Sequence, residues 1–252
     1  MYKALALAVL LIAPAHAQTA QEIVAAADAV RNPEKPFRIV ATVIAYKSGT
    51  AVDRNVFAVW SKLDPATRQF RDVMLYTDPP RDAGKILLLN GSNLWFYDPA
   101  SRQSVRMSPQ ERLSGQASAG DVLTENIATD YTAAADGTET IPDANRRQRV
   151  CWHLELKAAK TSATYNRIEY WVEQKTFYPI KARFFADSGA PLKTLYYRNF
   201  VRIDDRMAPA QAVIVDAVDP SLVTTVDLGM PQFEDVPDLW FERDYLPHLK
   251  AQ

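Results

Sequence analysis

The sequence predicts a mainly β protein, built on an antiparallel sheet with a few helices. From residue 37 onward, short segments rich in Val, Ile, Tyr, Phe and Trp alternate with turn-forming clusters at fairly regular intervals. Several segments alternate between apolar and charged residues, which is typical of a sheet with one face on a core and the other in solvent. The strands are not separated by long helical segments, which disfavours a parallel α/β fold.

The first seventeen residues have the three parts of a secretory signal peptide. Lys3 supplies a positive charge, an apolar run extends from Ala4 to Ala13, and Ala15 and Ala17 form a small-x-small cleavage pattern. The run is shorter than the roughly 20 apolar residues that a membrane-spanning helix needs. We therefore expect cleavage after Ala17 and a single domain over residues 18–252. No cysteine follows the cleavage point, so we expect no lipid anchor.

The charges are almost balanced and spread along the chain, with 29 basic and 30 acidic residues. Neither nucleic acid nor an acidic membrane surface is therefore expected as the main partner. Cys151 is the only cysteine, and it lies in a predicted strand. We interpret it as a small buried side chain, with a reactive thiol or an intermolecular bridge as the alternative.

The first predicted element of the mature chain is a helix over residues 19–31. Thr19 is suited to cap it, and Glu22, three residues later, completes a capping box. Asn32-Pro33 ends the helix, because proline cannot continue it.

Twelve strand segments are predicted after the helix, over residues 37–46, 54–62, 69–76, 85–90, 93–98, 103–107, 149–158, 165–174, 179–186, 191–203, 209–217 and 222–228. Asn90-Gly91, between two apolar runs, is the strongest hairpin signal in the chain. Residues 85–97 are apolar at consecutive positions, so we expect both faces of the sheet to be covered there.

Three of these segments indicate which side chains share the dry face. The apolar positions of their alternating patterns are Trp152, Leu154 and Leu156, then Ile168, Tyr170 and Val172, and finally Ile180, Ala182 and Phe184. Residues 108–137 interrupt the strand pattern and predict a helix-and-loop excursion, with an amphipathic piece at 121–127. A short helix is predicted again over 236–246.

The sequence carries no pattern that indicates catalysis or a metal site. His153 and His248 are isolated, no zinc-ligand spacing occurs, and neither a nucleophile elbow nor a phosphate-binding glycine loop is present. Asp216, Asp219 and Asp227 lack the dense spacing of a calcium loop, so we interpret them as turn-forming acids. We expect no catalytic residue, metal ion or cofactor.

Large apolar side chains are plentiful, with 5 Trp, 11 Tyr and 10 Phe. A curved antiparallel sheet with a dry inner face, closed by helices, is an architecture that holds an apolar ligand. The same side chains would equally well pack a solid core against the helices. The residue pattern leaves both interpretations open.

The order of several short motifs resembles a known family. They are Leu94-Trp95-Phe96-Tyr97-Asp98-Pro99, Arg106-Met107-Ser108, Gly120-Asp121-Val122-Leu123, Tyr170-Trp171-Val172-Glu173 and Pro179-Ile180-Lys181. Over nearly all of the mature chain, this order resembles the periplasmic outer-membrane lipoprotein-sorting proteins with the LolA/LolB-like fold. The resemblance is greatest to the larger LolA-like branch associated with membrane transporters.

The resemblance implies a half-open antiparallel β-barrel or curved sheet of about 11 strands, covered by helices and enclosing a hydrophobic cavity. It also implies a non-enzymatic periplasmic carrier of lipid or lipoprotein acyl chains. The implied partners are an inner-membrane transporter of the RND or MMPL type and an outer-membrane acceptor, with only peripheral membrane contact. Arg81 is a candidate for the arginine on which this family depends.

The residues expected to line the cavity and contact acyl chains are Trp60, Leu87, Leu89, Trp95, Tyr97, Trp152, Leu154, Ile168, Tyr170, Ile180 and Phe184. Two alternatives to a carrier stay open. One is a sensor or regulatory scaffold of the same fold, which binds lipid or a protein segment without transferring it. The other is a hydrolase acting on an envelope lipid or glycan.

Overall fold

A large curved antiparallel sheet dominates the computed structural model, which describes residues 18–249. The sheet is not closed into a barrel. The face covered by the α-helices is called the inner face here, and the opposite one the outer face. The predicted signal peptide lies outside the described residues.

Between residues 18 and 249 the chain forms sixteen strands, which are β1 (Phe37–Lys47), β2 (Thr50–Leu63), β3 (Phe70–Asp78), β4 (Ile86–Asn90), β5 (Asn93–Asp98), β6 (Gln103–Met107), β7 (Arg112–Ser114), β8 (Ala117–Ser118), β9 (Tyr131–Pro142), β10 (Gln148–Ala158), β11 (Arg167–Glu173), β12 (Pro179–Phe185), β13 (Pro191–Ile203), β14 (Arg206–Asp216), β15 (Leu222–Leu228) and β16 (Gln232–Phe233). The helices are α1 (Ala20–Arg31), α2 (Ala119–Val122) and α3 (Ile127–Asp130), with two 3-10 helices at Asp238–Phe241 and Arg243–His248.

The sheet consists of two antiparallel meanders joined side by side. Strands β1 to β6 form one meander and β9 to β15 form the other, and β1 pairs with β15 from Ala41↔Leu228 to Lys47↔Leu222. The short β16 pairs with the start of β1, while β7 and β8 form a separate small sheet. Strands β6 and β9 are the two edges, so the sheet remains open.

All twelve strand segments predicted from the residue pattern are present. The number of about 11 strands that the family resemblance implies is too low. The main sheet has fourteen strands among the described residues. The largest omission is β9, which belongs to the predicted excursion over 108–137. Its twelve residues are mostly exposed and include several Ala and Thr and a Gly, so they lack the apolar alternation of a half-buried strand. The backbone pairing with β10, from Tyr131↔Ala158 onward, makes this segment a strand.

The predicted first helix is confirmed as α1, together with its capping box. The Glu22 N–H donates to the Thr19 hydroxyl at 3.2 Å, and the Thr19 N–H donates to Oε2 of Glu22 at 2.8 Å. Ile23, Val24 and Ala27 face the inner side of the sheet and are buried there. Among residues 18–249, no helix is long and apolar enough to cross a membrane.

The segment 119–130, which we call the cover segment, lies over the inner face and contains α2 and α3. The predicted helix-and-loop excursion is present here, but the amphipathic piece at 121–127 is not one continuous helix, because residues 123–126 are not helical. Their backbone groups bind side chains from other elements instead. The Thr124 N–H donates to Oδ2 of Asp72 at 2.8 Å, and the Glu125 carbonyl accepts from Arg31 at 2.8 Å and from Asn32 at 2.7 Å.

The C-terminal segment packs on the outer face and has 3-10 geometry in place of the predicted short helix. It forms what we call the outer cluster, whose buried members are Ala58, Trp60, Val73, Leu75, Ile86, Leu88, Tyr97, Val236, Phe241 and Leu246. The expectation that both faces near residues 85–97 are covered is therefore confirmed. Leu87 and Leu94 lie in the main core on the inner face, and Ile86 and Leu88 lie under the C-terminal segment.

Cys151 is buried on the outer face with Ile141, Trp171 and Ile180. Burial raises the pKa of its thiol to about 12. The interpretation of Cys151 as a small buried side chain is confirmed.

Candidate functional site

A cavity of about 140 Å³ lies between the cover segment and the inner face of the sheet. Strands β1 and β11 to β15 supply one wall, which includes Ile39, Ile168, Phe184, Leu195, Ala212 and Val226. Val122, Leu123 and Ile127 of the cover segment form the opposite wall. The walls are therefore mainly aliphatic and aromatic, as in sites for apolar ligands.

One end of the cavity opens to solvent beside the β13–β14 hairpin. Val201, Ile203, Ala210 and Leu228 all line the cavity, and each is only half-buried. Phe37, at the start of β1, also lines the cavity. The apolar wall thus continues to the surface, which gives a ligand a route of entry.

Arg31, at the end of α1, is a charged group in the cavity wall, and 14% of its side chain is exposed. Its Nη1 donates to the Tyr197 hydroxyl at 3.1 Å, and its Nη2 donates to the Glu125 carbonyl and lies 3.3 Å from Oδ1 of Asp28. Burial raises the pKa of Asp28 to about 6, although Arg31 opposes the shift. The side chain therefore connects α1, the cover segment and β13.

Glu125 is an acid in the cavity wall. The Thr164 hydroxyl donates to its Oε1, and burial raises the pKa of the carboxyl group to about 8. Gly120 makes this contact possible, because a Cβ at that position would overlap both methyl and hydroxyl groups of Thr164. At neutral pH, Glu125 is therefore mostly a neutral carboxylic acid.

Asp121 is the second acid of the wall and forms an enclosed ion pair with Lys193 of β13. Lys193 also donates to the Gln116 carbonyl at 2.8 Å and to the Ser118 hydroxyl at 3.2 Å. The Tyr165 hydroxyl donates to Oδ1 of Asp121 at 3.0 Å. The charge of Asp121 is thus compensated. No serine or histidine lines the cavity within the described part of the chain.

Two of the eleven residues expected to line the cavity do so, namely Ile168 and Phe184. Five others lie on the inner face, in or against the main core outside the cavity wall: Leu87, Leu89, Trp152, Leu154 and Tyr170. The remaining four lie on the outer face: Trp60, Trp95, Tyr97 and Ile180.

The register of the sheet explains two of the four residues on the outer face, Trp95 and Ile180. Trp95 pairs with Leu88, so it shares the face of Leu88 and not that of Leu87. Ile180 is the extra residue of a β-bulge, since Val172 pairs with Pro179 whereas Trp171 pairs with Lys181. The alternation predicted for Ala182 and Phe184 is confirmed, but it does not extend to Ile180.

The sequence-based selection missed the walls supplied by the cover segment and by the β13–β14 hairpin. A signal was present in β13, where Leu195, Tyr197, Val201 and Ile203 are apolar at odd positions. The cover segment gave only the amphipathic piece at 121–127, and its non-helical stretch has no regular period that shows which side chains face the sheet.

The other candidate residues lie outside the cavity wall. Arg81 is exposed and pairs with Asp82 at 3.1 Å and with Asp53 at 3.5 Å. Asp216 accepts hydrogen bonds from the N–H groups of Val218 and Asp219, as expected of a turn-forming acid. Within residues 18–249, no three acidic, histidine or cysteine side chains are placed to hold a metal ion.

A family model described only as an uncharacterized protein matches residues 69–248. A LolA superfamily protein from Nitrosomonas europaea is 32% identical, with a TM-score of 0.81, and the match covers 91% of this chain and 100% of that chain. No curated protein matches the sequence.

Two further solved structures have the same fold at lower identity. A putative outer membrane lipoprotein-sorting protein domain from Vibrio parahaemolyticus is 15% identical with a TM-score of 0.74, over 90% of this chain and 98% of that chain. A DUF1329 family protein from Desulfovibrio piger is 18% identical with a TM-score of 0.75, over 90% and 97% respectively.

Proposed function

The chain belongs to the LolA-like lipoprotein-sorting family, and from this membership we propose that it is a non-enzymatic periplasmic carrier. It binds the acyl chains of lipids or lipoproteins in the cavity under the cover segment. The mature carrier is the single domain over residues 18–252, released from its signal peptide and free of a lipid anchor.

The observation that supports this proposal is the apolar cavity with an opening at one end. Each CH₂ group that moves from water into such a wall gains about 0.8 kcal/mol. Binding a chain there needs no covalent chemistry, and release needs only a competing apolar environment. The cavity of about 140 Å³ is small for a long acyl chain. Such a chain therefore extends through the opening or displaces the cover segment.

A carrier needs a donor and an acceptor. We propose that an inner-membrane transporter of the RND or MMPL type loads the cavity and that an outer-membrane acceptor empties it. The carrier itself makes only peripheral contact with either membrane.

The proposal is tested by native mass spectrometry of the protein purified from its own cell envelope. We expect a bound species with the mass of an acylated lipid or lipoprotein. The loaded protein is then incubated with outer-membrane vesicles, and the amount of lipid transferred to the vesicles is measured. Every preparation free of lipid would contradict a lipid-binding role, whereas retained lipid without transfer would identify a sensor.

A further inference from the structure

Glu125 places a hydrogen-bonding group in a wall that is otherwise mostly apolar. We propose that its protonated carboxyl group is the polar contact of the bound lipid, donating to the carbonyl oxygen of the ester or amide that begins the acyl chain. This inference rests on the proposed function, because it assigns a polar subsite within the same cavity.

The two carboxyl oxygens of Glu125 have different surroundings. Oε1 accepts the hydrogen bond from Thr164. Oε2 has no hydrogen-bond partner in the described part of the chain. It is also not fully buried, because it is absent from the set of fully buried polar atoms that lack a partner. Since the acceptor oxygen is already occupied, Oε2 is the natural position of the proton. An O–H group at Oε2 is then available to a ligand.

The glycine at position 120 is independent support for a built site. Gly120 has no unusual backbone conformation that would require glycine, but a Cβ there would collide with Thr164 and contact Oε1 of Glu125. The absence of a side chain therefore lets Thr164 reach the carboxyl group. The side chain of Glu125 is held in one orientation, as a recognition group needs.

The charged groups around Glu125 leave the carboxyl group neutral. Burial is the largest effect on its pKa, which it raises to about 8; Arg31 opposes the shift, and Asp121 and Asp130 add to it. The Arg31 guanidinium is already shared among Asp28, the Tyr197 hydroxyl and the Glu125 backbone carbonyl.

Of the two acids near Glu125, Asp121 is paired with Lys193, and Asp130 lies 3.1 Å from Lys160. Tyr131 and Tyr165 also face this region and are uncharged, since burial raises their pKa values. No cation in this set is left to pair with an ionised Glu125.

A neutral O–H donor selects for ligands that carry a carbonyl oxygen. An ester or amide accepts the hydrogen bond, whereas a hydrocarbon leaves the donor unpaired. A net hydrogen bond contributes about 1 kcal/mol, which corresponds to about a fivefold difference in affinity. Above the pKa of Glu125 the donor disappears and a charge takes its place.

The test compares methyl decanoate with undecane, a hydrocarbon of similar length. Each displaces the neutral dye N-phenyl-1-naphthylamine from the full-length mature protein, at about pH 6 and at about pH 10, two units on either side of the pKa. We expect methyl decanoate to lose about fivefold in affinity at the higher pH. Undecane should lose far less.

Two variants test whether the pH effect on affinity arises from Glu125. Glu125→Gln keeps a donor and cannot ionise in this range, so its affinity for methyl decanoate should not change with pH. Glu111→Gln alters an exposed acid outside the cavity wall and should behave as the unmodified protein. If Glu125→Gln fails to fold, the comparison of the two ligands in the unmodified protein still decides the question.

Three results would overturn the assignment of Glu125. They are an equal pH effect on methyl decanoate and undecane, a pH effect that persists in Glu125→Gln, and no pH effect on methyl decanoate in the unmodified protein. If neither the dye nor either ligand binds at any pH, the proposed function itself fails, and this inference fails with it.

Discussion

Asp121 and Lys193 form an ion pair that is almost completely enclosed, with 2% and 5% of their side-chain surfaces exposed. Asp121 lies in α2 and Lys193 in β13, so the pair attaches the cover segment to the sheet beside the cavity. An ion pair removed from water must recover a large desolvation cost, and it does so only when both partners are present.

Removing one partner of this pair should therefore destabilise the protein strongly. We expect Asp121→Asn to lower the free energy of unfolding by about 3–5 kcal/mol, because it leaves the Lys193 ammonium buried without a counter-charge. Urea unfolding followed by circular dichroism measures the change. Glu155→Gln, which removes the half-buried partner of the exposed Lys157, is the control and should cost less than about 1 kcal/mol. Similar losses in both variants would contradict the prediction.

Asp72 should make the fold less stable as the pH rises. It is fully buried, and burial raises the pKa of its carboxyl group to about 7, although the Thr124 N–H donates to it. The stability that protonated Asp72 contributes is fully present below its pKa in the unfolded chain, about 3.9, and is lost as the pH rises through its pKa in the fold, about 7. Asp28 and Glu125 act in the same direction, since burial raises their pKa values too.

Urea unfolding at several pH values between about 4 and 8 checks this expectation, because that range spans the unfolded and folded pKa values. We expect Asp72→Asn to reduce the fall in stability, since the amide oxygen still accepts from Thr124 and carries no charge. Asp64→Asn, in an exposed turn, is the comparison. An unchanged pH profile in Asp72→Asn would show that Asp72 does not titrate in this window.

Neighbouring residues of β1 should differ sharply in their effect on lipid binding. Ile39 lines the cavity, whereas Val40 points to the outer face and is 42% exposed. We expect Ile39→Asn to weaken the binding of a fluorescent fatty acid by about tenfold, because it places an amide in the apolar wall. Val40→Asn should leave the affinity unchanged. Equal affinities of the two variants would mean that the ligand binds outside this cavity.

Trp60 and Phe184 should separate stability from ligand binding. Trp60 lies in the outer cluster, where its ring packs edge-on against that of Trp240 with the ring centroids 5.4 Å apart. Its indole N–H donates to Oε1 of Glu234 at 3.0 Å. Phe184 lies in the cavity wall. We expect either change to alanine to cost about 3–5 kcal/mol of stability.

Only Phe184→Ala should alter the affinity for an acyl chain, as measured by dye displacement well below the melting temperature. A loss of affinity in Trp60→Ala would mean that the outer cluster communicates with the cavity or holds the ligand itself.

Most elements of the fold were predictable because their signals are local. The capping box of Thr19 and Glu22 marks the start of α1 within four residues, and the alternating patterns mark β10 and β11. Strand β9 was not predictable, because only Tyr131 and Ile141, near its two ends, are buried, and the exposed residues between them have no apolar alternation. The C-terminal segment was placed correctly, but its 3-10 geometry depends on packing against the outer face.

The sequence by itself determined that the protein is an antiparallel β structure of the LolA type with abundant apolar surface. Those properties follow from local periodicity and from the order of motifs. Only the tertiary structure decided which apolar residues enclose a cavity. A single bulge moves Ile180 to the outer face, and a hairpin register does the same to Trp95.

The environment of the polar wall was equally a tertiary property. Glu125 meets Thr164, and Asp121 meets Lys193, across long stretches of chain. A charge in a sequence is neither buried nor paired until the fold brings its neighbours together, so its pKa and its role are decided only then.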